Sequence, residues 1–333
     1  MRAVVVGAGA VGARSARQLL SLGSVESVAV VEPDEDRRRA VVASLGAVAS
    51  EAPADLDSAL AGANVVVAAV AGRHRPIAEA ALAHGAHVVS VADALTDVEE
   101  LLDLDGEARK RGVHLVVGAG FSPGLSCVLA AHAARSFEQV EEIHVARVGT
   151  GGPACARQHH RALRGPGVDW RDGGWEKRSG GSGRQLCWFP DPVRGVDCYR
   201  AALGEPLLLV PAFPGVGRVT ARVGASRRDR LSSRLPMLRR PHPEGGLAAI
   251  RVEVRGTQGA VGDDRVLGAV DRPAVAAGVV SALAGWWALE GRLARTGAAG
   301  LAELVEPGPF LAALAERGVK VAIFEGARSV PAG

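Results

Sequence analysis

Residues 4–20 read VVVGAGAVGARSARQLL, and residues 28–34 read VAVVEPD. The first run is a β-branched strand pattern that ends in Gly7-Ala8-Gly9-Ala10-Val11-Gly12 and opens onto a helical pattern. The second is another apolar strand, closing on Glu32, 20 positions past Gly12. Gly-x-Gly-x-x-Gly between a strand and a helix, with a carboxylate ending the next strand, is the fingerprint of a dinucleotide-binding crossover. Gly7 permits the tight turn, Gly9 lets backbone N–H groups approach a pyrophosphate, and Gly12 lets the helix pack on the strand. The helix N-terminus then stabilises the phosphate charge.

Glu32 is placed to accept hydrogen bonds from the adenosine ribose hydroxyls. A carboxylate there repels a 2′-phosphate by about 4 kcal/mol at 4 Å and an effective dielectric near 20. NAD is therefore the expected cofactor. Arg37, Arg38 and Arg39 lie just beyond Glu32 and keep NADP open.

Outward from this start, apolar runs alternate with helical patterns to about residue 120, as in βαβ units on a parallel sheet. Strands are expected at Arg2–Val6, Ser27–Val31, Asn64–Val70, His87–Val91 and His114–Val117. Helices are expected at Val11–Leu22, Asp36–Leu45, Pro76–His84 and Asp97–Arg111. Ala69, Val70 and Ala71, at the end of the third of these strands, join the expected cofactor contacts. From about Gln139 the pattern becomes that of a mixed sheet, with strands at Glu142–Val148, Arg218–Ala225, Leu247–Arg255 and Asp264–Leu267. Gly149–Gly183 is glycine-rich and reads as a long loop. The chain ends with helices at Ala274–Leu289 and near Phe310–Arg317, then a strand at Val319–Phe324.

The fold class is therefore α/β, a doubly wound Rossmann sheet with a second mixed α/β domain. The expected division is 1–122 for the dinucleotide domain, 123–270 for a substrate and dimerisation domain, and 271–333 for C-terminal helices returning to the cofactor domain plus a closing strand. At 333 residues the chain has room for two domains with a cleft between them.

Composition narrows the function classes. The net charge of +3 is carried almost wholly by arginine, and Lys110, Lys177 and Lys320 are the only lysines. Basic residues crowd at Arg227–Arg240 without interleaved aromatics, so no nucleic-acid partner is expected. The apolar runs are too short or interrupted for a membrane span, and the immediate N-terminal strand leaves no room for a signal peptide. A cytoplasmic protein is expected. Cys127, Cys155, Cys187 and Cys198 form no CxxC pair and have no histidine at zinc-finger spacing, so neither a metal nor a disulfide framework is indicated. Lacking a dedicated base in the sequence, they also suggest no covalent catalysis.

Three segments together resemble the saccharopine dehydrogenase family, in its lysine 6-dehydrogenase-like and saccharopine reductase-like branches. They are the Rossmann start, VVGAGFSPGLSCVLAAHAA at 116–134, and GLAELVEPGPFLAALAERGVKVAIFEG at 300–326. The resemblance implies hydride transfer between a nicotinamide and a carbon bearing nitrogen in an amino-acid-like substrate, by a homodimer. It puts Pro123 and Gly124 beside the nicotinamide, and Phe121 with Pro123 joins the expected cofactor contacts. Where relatives tend to have an aspartate in the fifth strand, this chain has Ser90, with Asp93 three residues on.

Oxidising a C–N bond needs a group that takes the amine proton and an anchor for the carboxylate, roles suited to His and Arg. Arg157-Gln158-His159-His160-Arg161 supplies both types. His160 is the expected proton acceptor, with Asp93 a second catalytic candidate at the carboxyl edge of the sheet. Arg157, His159 and Arg161 are expected to bind substrate, with Arg73 and His74 at the same sheet edge. Tyr199, in DPVRGVDCYRAA, resembles a family segment near the substrate pocket. Two other readings stay open: a sugar or polyol oxidoreductase of similar plan, and a dinucleotide-sensing protein without turnover. The first commonly carries Glu-Lys-Pro where this chain has Val91-Ala92-Asp93-Ala94.

Overall fold

The computed structural model describes residues 1–53, 55–235, 237 and 241–324. The first sheet takes strands β1 (Arg2–Val6), β2 (Ser27–Val31), β3 (Ala49–Glu51), β4 (Val65–Ala68), β5 (His87–Ser90) and β6 (His114–Val116). Next along the chain come β7 (Gln139–Val148), β8 (Gly167–Arg171), β9 (Gly174–Arg178), β10 (Gln185–Phe189), β11 (Arg194–Arg200), β12 (Arg218–Gly224), β13 (Ala248–Gln258) and β14 (Val261–Asp271). The last two strands are β15 (Gly297–Ala299) and β16 (Val321–Phe324).

The first sheet is parallel, in the order β15-β6-β5-β4-β1-β2-β3. Its strands are continuous apolar runs because helices cover both faces: Val4, Val5, Val65, Val66 and Val67 are fully buried. The order reverses between β1 and β4, and ligands of open α/β sheets settle in the crevice at such a switch point.

Helix 10–20 packs along helix Pro273–Leu289, which returns from the second sheet to cover the first. Small residues bring the two backbones close. A Cβ added at Gly278 would meet Arg14 Cβ at 2.5 Å, and the hydroxyls of Ser15 and Ser281 bond at 2.7 Å inside the contact.

The second sheet runs β10-β11-β12-β7-β13-β14-β16, with β8 paired to β12 and β9 to β8. Only the β12–β7 pair is parallel, which makes the sheet mixed. The closing strand β16 thus joins this second sheet, while β15 extends the first.

Several sequence expectations shift. The helix read over Asp97–Arg111 is two helices, Leu95–Leu102 and Asp105–Lys110. The stretch 149–183 is not a loop: it holds helix Pro153–Ala162 and the β8–β9 hairpin. Gly152, at φ +128, caps that helix and Pro153 begins it, a position where a missing N–H costs nothing. Of the basic run, Leu238, Arg239 and Arg240 lie outside the described residues. No described helix is long and apolar enough to cross a membrane.

Candidate active site

A cavity of about 1110 Å³ opens between the glycine loop and the second sheet. One wall carries Gly7 to Val11, Glu32, Ala69, Val70 and Ala71 from the carboxyl ends of β1, β2 and β4. Phe121, Ser122 and Pro123 follow β6, and the opposite wall comes from Arg147 at the end of β7 and from helix Pro153–Ala162.

The glycine loop is shaped by contacts that a side chain would break. A Cβ on Gly12 would fall 1.8 Å from the Gly7 carbonyl oxygen, so helix 10–20 can lie this close to β1 only with glycine there. Gly7 takes φ +104 with the Ala69 carbonyl pressed against it, while Gly9 faces open space on the cavity side. Gly12 therefore supports the loop from behind, and Gly9 leaves first-turn N–H groups approachable.

Glu32 is held at the cavity wall by two backbone N–H groups. Its Oε2 accepts from the Ala8 N–H at 2.9 Å and its Oε1 from the Asp34 N–H at 3.2 Å. Arg37 Nη1 stands 3.5 Å from Oε1, while Arg38 bonds the Glu32 carbonyl and Glu51, and Arg39 pairs with Glu35. Of the three arginines, Arg37 alone lines the cavity. The cavity is continuous from Glu32 through the glycine loop to Phe121 and Pro123, a cradle that fits a dinucleotide from adenosine ribose to nicotinamide.

The far end of the cavity holds a cluster of charges. Asp93, three residues past β5, sits 3.3 Å from Arg147 Nη2 and 3.6 Å from His159 Nε2. His159 Nε2 is also 3.7 Å from Cys155 Sγ, one helical turn earlier on the same face. Beneath them Arg147, 4% exposed, donates to the Ser122 carbonyl and lies 3.7 Å from the fully buried Glu205. Ser122 Oγ donates to Glu205 at 2.7 Å, tying the residue before Pro123 to this base. Arg147 Nε and Glu205 Oε2 are buried without a hydrogen-bond partner.

These neighbours set the protonation states. Burial opposes ionisation of Asp93, yet the His159 and Arg147 cations more than compensate and hold its carboxyl below the usual range. Burial and Arg147 push His159 down, but the Cys155 sulfur and Asp93 outweigh them and raise it to about 9. Cys155 is held below the ordinary thiol range: burial works against ionisation and is overcome by His159. Cys127, buried among apolar side chains, is instead pushed up to about 12.

Sequence reasoning located this wall but misjudged its phase. His160 does not line the cavity; its Nε2 bonds the Leu235 carbonyl at 2.8 Å, because the helix turns it about 100° from His159. Arg157 and Arg161 do line the cavity, with His159 between them in sequence. Cys155 has the neighbouring base that the sequence did not show. Tyr199 is 2% exposed, packed under Arg230 at 4.2 Å and away from the cavity.

Arg73 lines the rim but is paired with Glu100 at 2.6 Å. His74 is buried: its Nε2 faces the Val70 carbonyl at 3.2 Å and its Nδ1 the Ser90 hydroxyl at 2.8 Å. Both ring nitrogens are thus committed, and burial keeps the ring neutral. Ser90 holds this histidine and also accepts from the Ala92 N–H. Arg147, Glu205 and Cys155 were not singled out from the sequence. A lone arginine at the end of an apolar strand and a Cys-x-x-x-His pair behind a Gly-Pro helix start were the available signals.

The chain is similar to several solved dehydrogenases. Apo saccharopine dehydrogenase (L-Glu forming) from Saccharomyces cerevisiae matches with a TM-score of 0.72 at 14% identity, over 97% of this chain and 100% of that one. Amine dehydrogenase from Mycobacterium smegmatis matches at 0.52 and 14%, over 91% and 96%. An engineered D-amino acid dehydrogenase bound to NADP+ matches at 0.51 and 14%, over 93% and 95%. At these identities the likeness establishes the two-sheet fold. A family model described as an oxidoreductase family with an NAD-binding Rossmann fold matches residues 1–121, so this part of the chain is the NAD-binding Rossmann domain of an oxidoreductase.

Proposed function

We propose that this protein is an NAD-dependent dehydrogenase or reductase that transfers a hydride between the nicotinamide and a carbon–nitrogen bond of an amino-acid-like substrate. The observation that carries the reading is the Asp93–His159 pair, backed by Arg147, in the same cavity as the glycine loop and Glu32. Bound NAD supplies the hydride acceptor. Gly7 to Val11, Glu32, Ala69 to Ala71, Phe121 and Pro123 hold it, supported by Gly12.

The protein's own groups then account for the proton and the substrate's charges. Asp93 stays a carboxylate and attracts a substrate ammonium. Arg157 and Arg161 offer guanidinium forks to a substrate carboxylate from the cavity's open side. His159, charged at neutral pH, donates a proton to nitrogen as an imine is reduced, and takes one back in the oxidative direction as pH approaches 9. The folds named for an amine and a D-amino acid dehydrogenase are in keeping with a nitrogen-bearing substrate. No lysine lines the cavity among the described residues, which leaves a lysine-dependent polyol oxidation without its base.

The reading includes a cytoplasmic homodimer. Edge strand β10 exposes Leu186 and Trp188 on one face at 55% and 61%, an apolar surface suited to a second copy, and light scattering measures the assembly. The activity is tested by supplying NAD with separate panels of L-amino acids, amines and polyols and following reduced coenzyme. Turnover confined to C–N substrates supports the proposal; turnover on polyols alone, or coenzyme binding without any turnover, refutes it.

A further inference from the structure

We propose that Cys155 is a nucleophilic modification site in the coenzyme cleft, a thiol paired with His159 that takes soft electrophiles and hydrogen peroxide. The proposal rests on the cavity and its side chains, without recourse to the reaction proposed above.

Three observations point to it. Cys155 Sγ lies 3.7 Å from His159 Nε2, and the residue lines a cavity of about 1110 Å³, so reagents in solution reach it. Cys127, Cys187 and Cys198, by contrast, are buried outside the cavity lining. Second, the charged groups facing the sulfur come from three elements: His159 on its own helix, Arg147 on β7 and Asp93 after β5. Two cations thus oppose one carboxylate, which favours the thiolate, the form that reacts. Third, Arg147 is buried on the same cavity wall with its Nε unpartnered, and its charge acts on the Cys155 sulfur in the sense that favours the anion.

The step balances with peroxide as the oxidant. The Cys155 sulfur attacks one peroxide oxygen, an S–O bond forms and the O–O bond breaks. The departing hydroxide takes the His159 proton and leaves as water. Sulfur is oxidised by two electrons to a sulfenic acid and peroxide is reduced. Two equivalents of a small thiol reverse the step, the first forming a mixed disulfide with loss of water and the second releasing Cys155 and the small-molecule disulfide. A sulfenic oxygen or an alkyl group at Sγ is added within 4.8 Å of the Asp93 carboxylate, in the cavity where substrate is expected.

The experiment follows iodoacetamide labelling of the full chain, without coenzyme, by peptide mass mapping from pH 5 to 10. Cys155 is expected to react at least tenfold faster than the other three cysteines at pH 7, with a midpoint below the ordinary thiol value. His159→Gln should slow it at least fivefold at pH 7 and move the midpoint up. A dimedone adduct should appear at Cys155 after peroxide. Labelling of Cys155 no faster than that of Cys187, or a midpoint indifferent to His159→Gln in protein of unchanged circular dichroism, would overturn the proposal. Because no coenzyme is present, either result is independent of whether C–N oxidation is found.

Discussion

His159 Nε2 stands 3.6 Å from Asp93 Oδ2, joining a helix that follows the second sheet's first strand to the carboxyl edge of the Rossmann sheet. Neither sheet alone forms the site, since the cation comes from one side of the cleft and the carboxylate from the other. If His159 is the proton carrier, amine oxidation should speed up as pH rises towards about 9, and imine reduction should slow over the same range. His159→Gln should cut turnover by about two to four orders of magnitude and flatten the profile. His160→Ala, whose ring is spent on the Leu235 carbonyl, should stay within about twofold of the parent. Steady-state rates from pH 6 to 10 check all three.

The glycine loop makes a second, steric prediction. A Cβ at residue 12 would stand 1.8 Å from the Gly7 carbonyl, so helix 10–20 must retreat from β1 and carry its N–H groups off the pyrophosphate. Gly12→Ala should weaken NADH binding at least tenfold, about 1.4 kcal/mol. Fluorescence titration measures it.

Coenzyme choice turns on one carboxylate. Glu32 is held by the Ala8 and Asp34 N–H groups, with Arg37 alongside, 3.5 Å from Glu32 and 3.1 Å from Asp34, at the cavity wall where a 2′-phosphate would lie. Glu32→Ala should move the NAD-to-NADP preference towards NADP by at least tenfold, from loss of repulsion and of the ribose bonds together. Dissociation constants for both coenzymes in parent and variant give the ratio.

A fourth prediction lies at the opposite edge of the Rossmann sheet. His87, its ring centroid 5.0 Å from that of His114, is brought down to about 4 by burial and by its neighbour. Its folded value lies below its unfolded value of about 6.5, so the unfolded chain binds the extra proton and stability falls as pH drops from about 6.5 to 4. The partial exposure of the ring reduces the effect to the order of 1 kcal/mol. His87→Gln should remove that part of the acid loss, as read from urea midpoints at pH 7 and pH 4.5.

What the sequence disclosed follows from range. The strand ends of β1 and β2, the glycine loop and Glu32 are local patterns of apolar period and turn chemistry, and both strands fall at the residues expected. The three-residue strands β3 and β15 were missed because they are too short to show a period; pairing with β2 and β6 makes them strands. The segment 149–183 read as a loop because glycine weighs against regular structure. Yet Gly152 and Gly173 are a helix cap and a hairpin turn, at φ +128 and +86. That error hid the helix, and with it the one-turn spacing that puts Cys155 and His159 on one face and sends His160 elsewhere. Arg147 and Glu205 were illegible for another reason. Their burial is justified by each other, by Ser122 and, for Arg147, by Asp93, all from segments 25 to 83 positions apart.

The most direct test measures turnover of a C–N substrate and NADH binding side by side in the parent and in Asp93→Asn, a variant that keeps shape and removes only the charge facing Arg147 and His159. The account predicts at least a hundredfold loss of turnover with NADH affinity within about twofold. Turnover equal to the parent's, in a variant that still binds NADH, would contradict it.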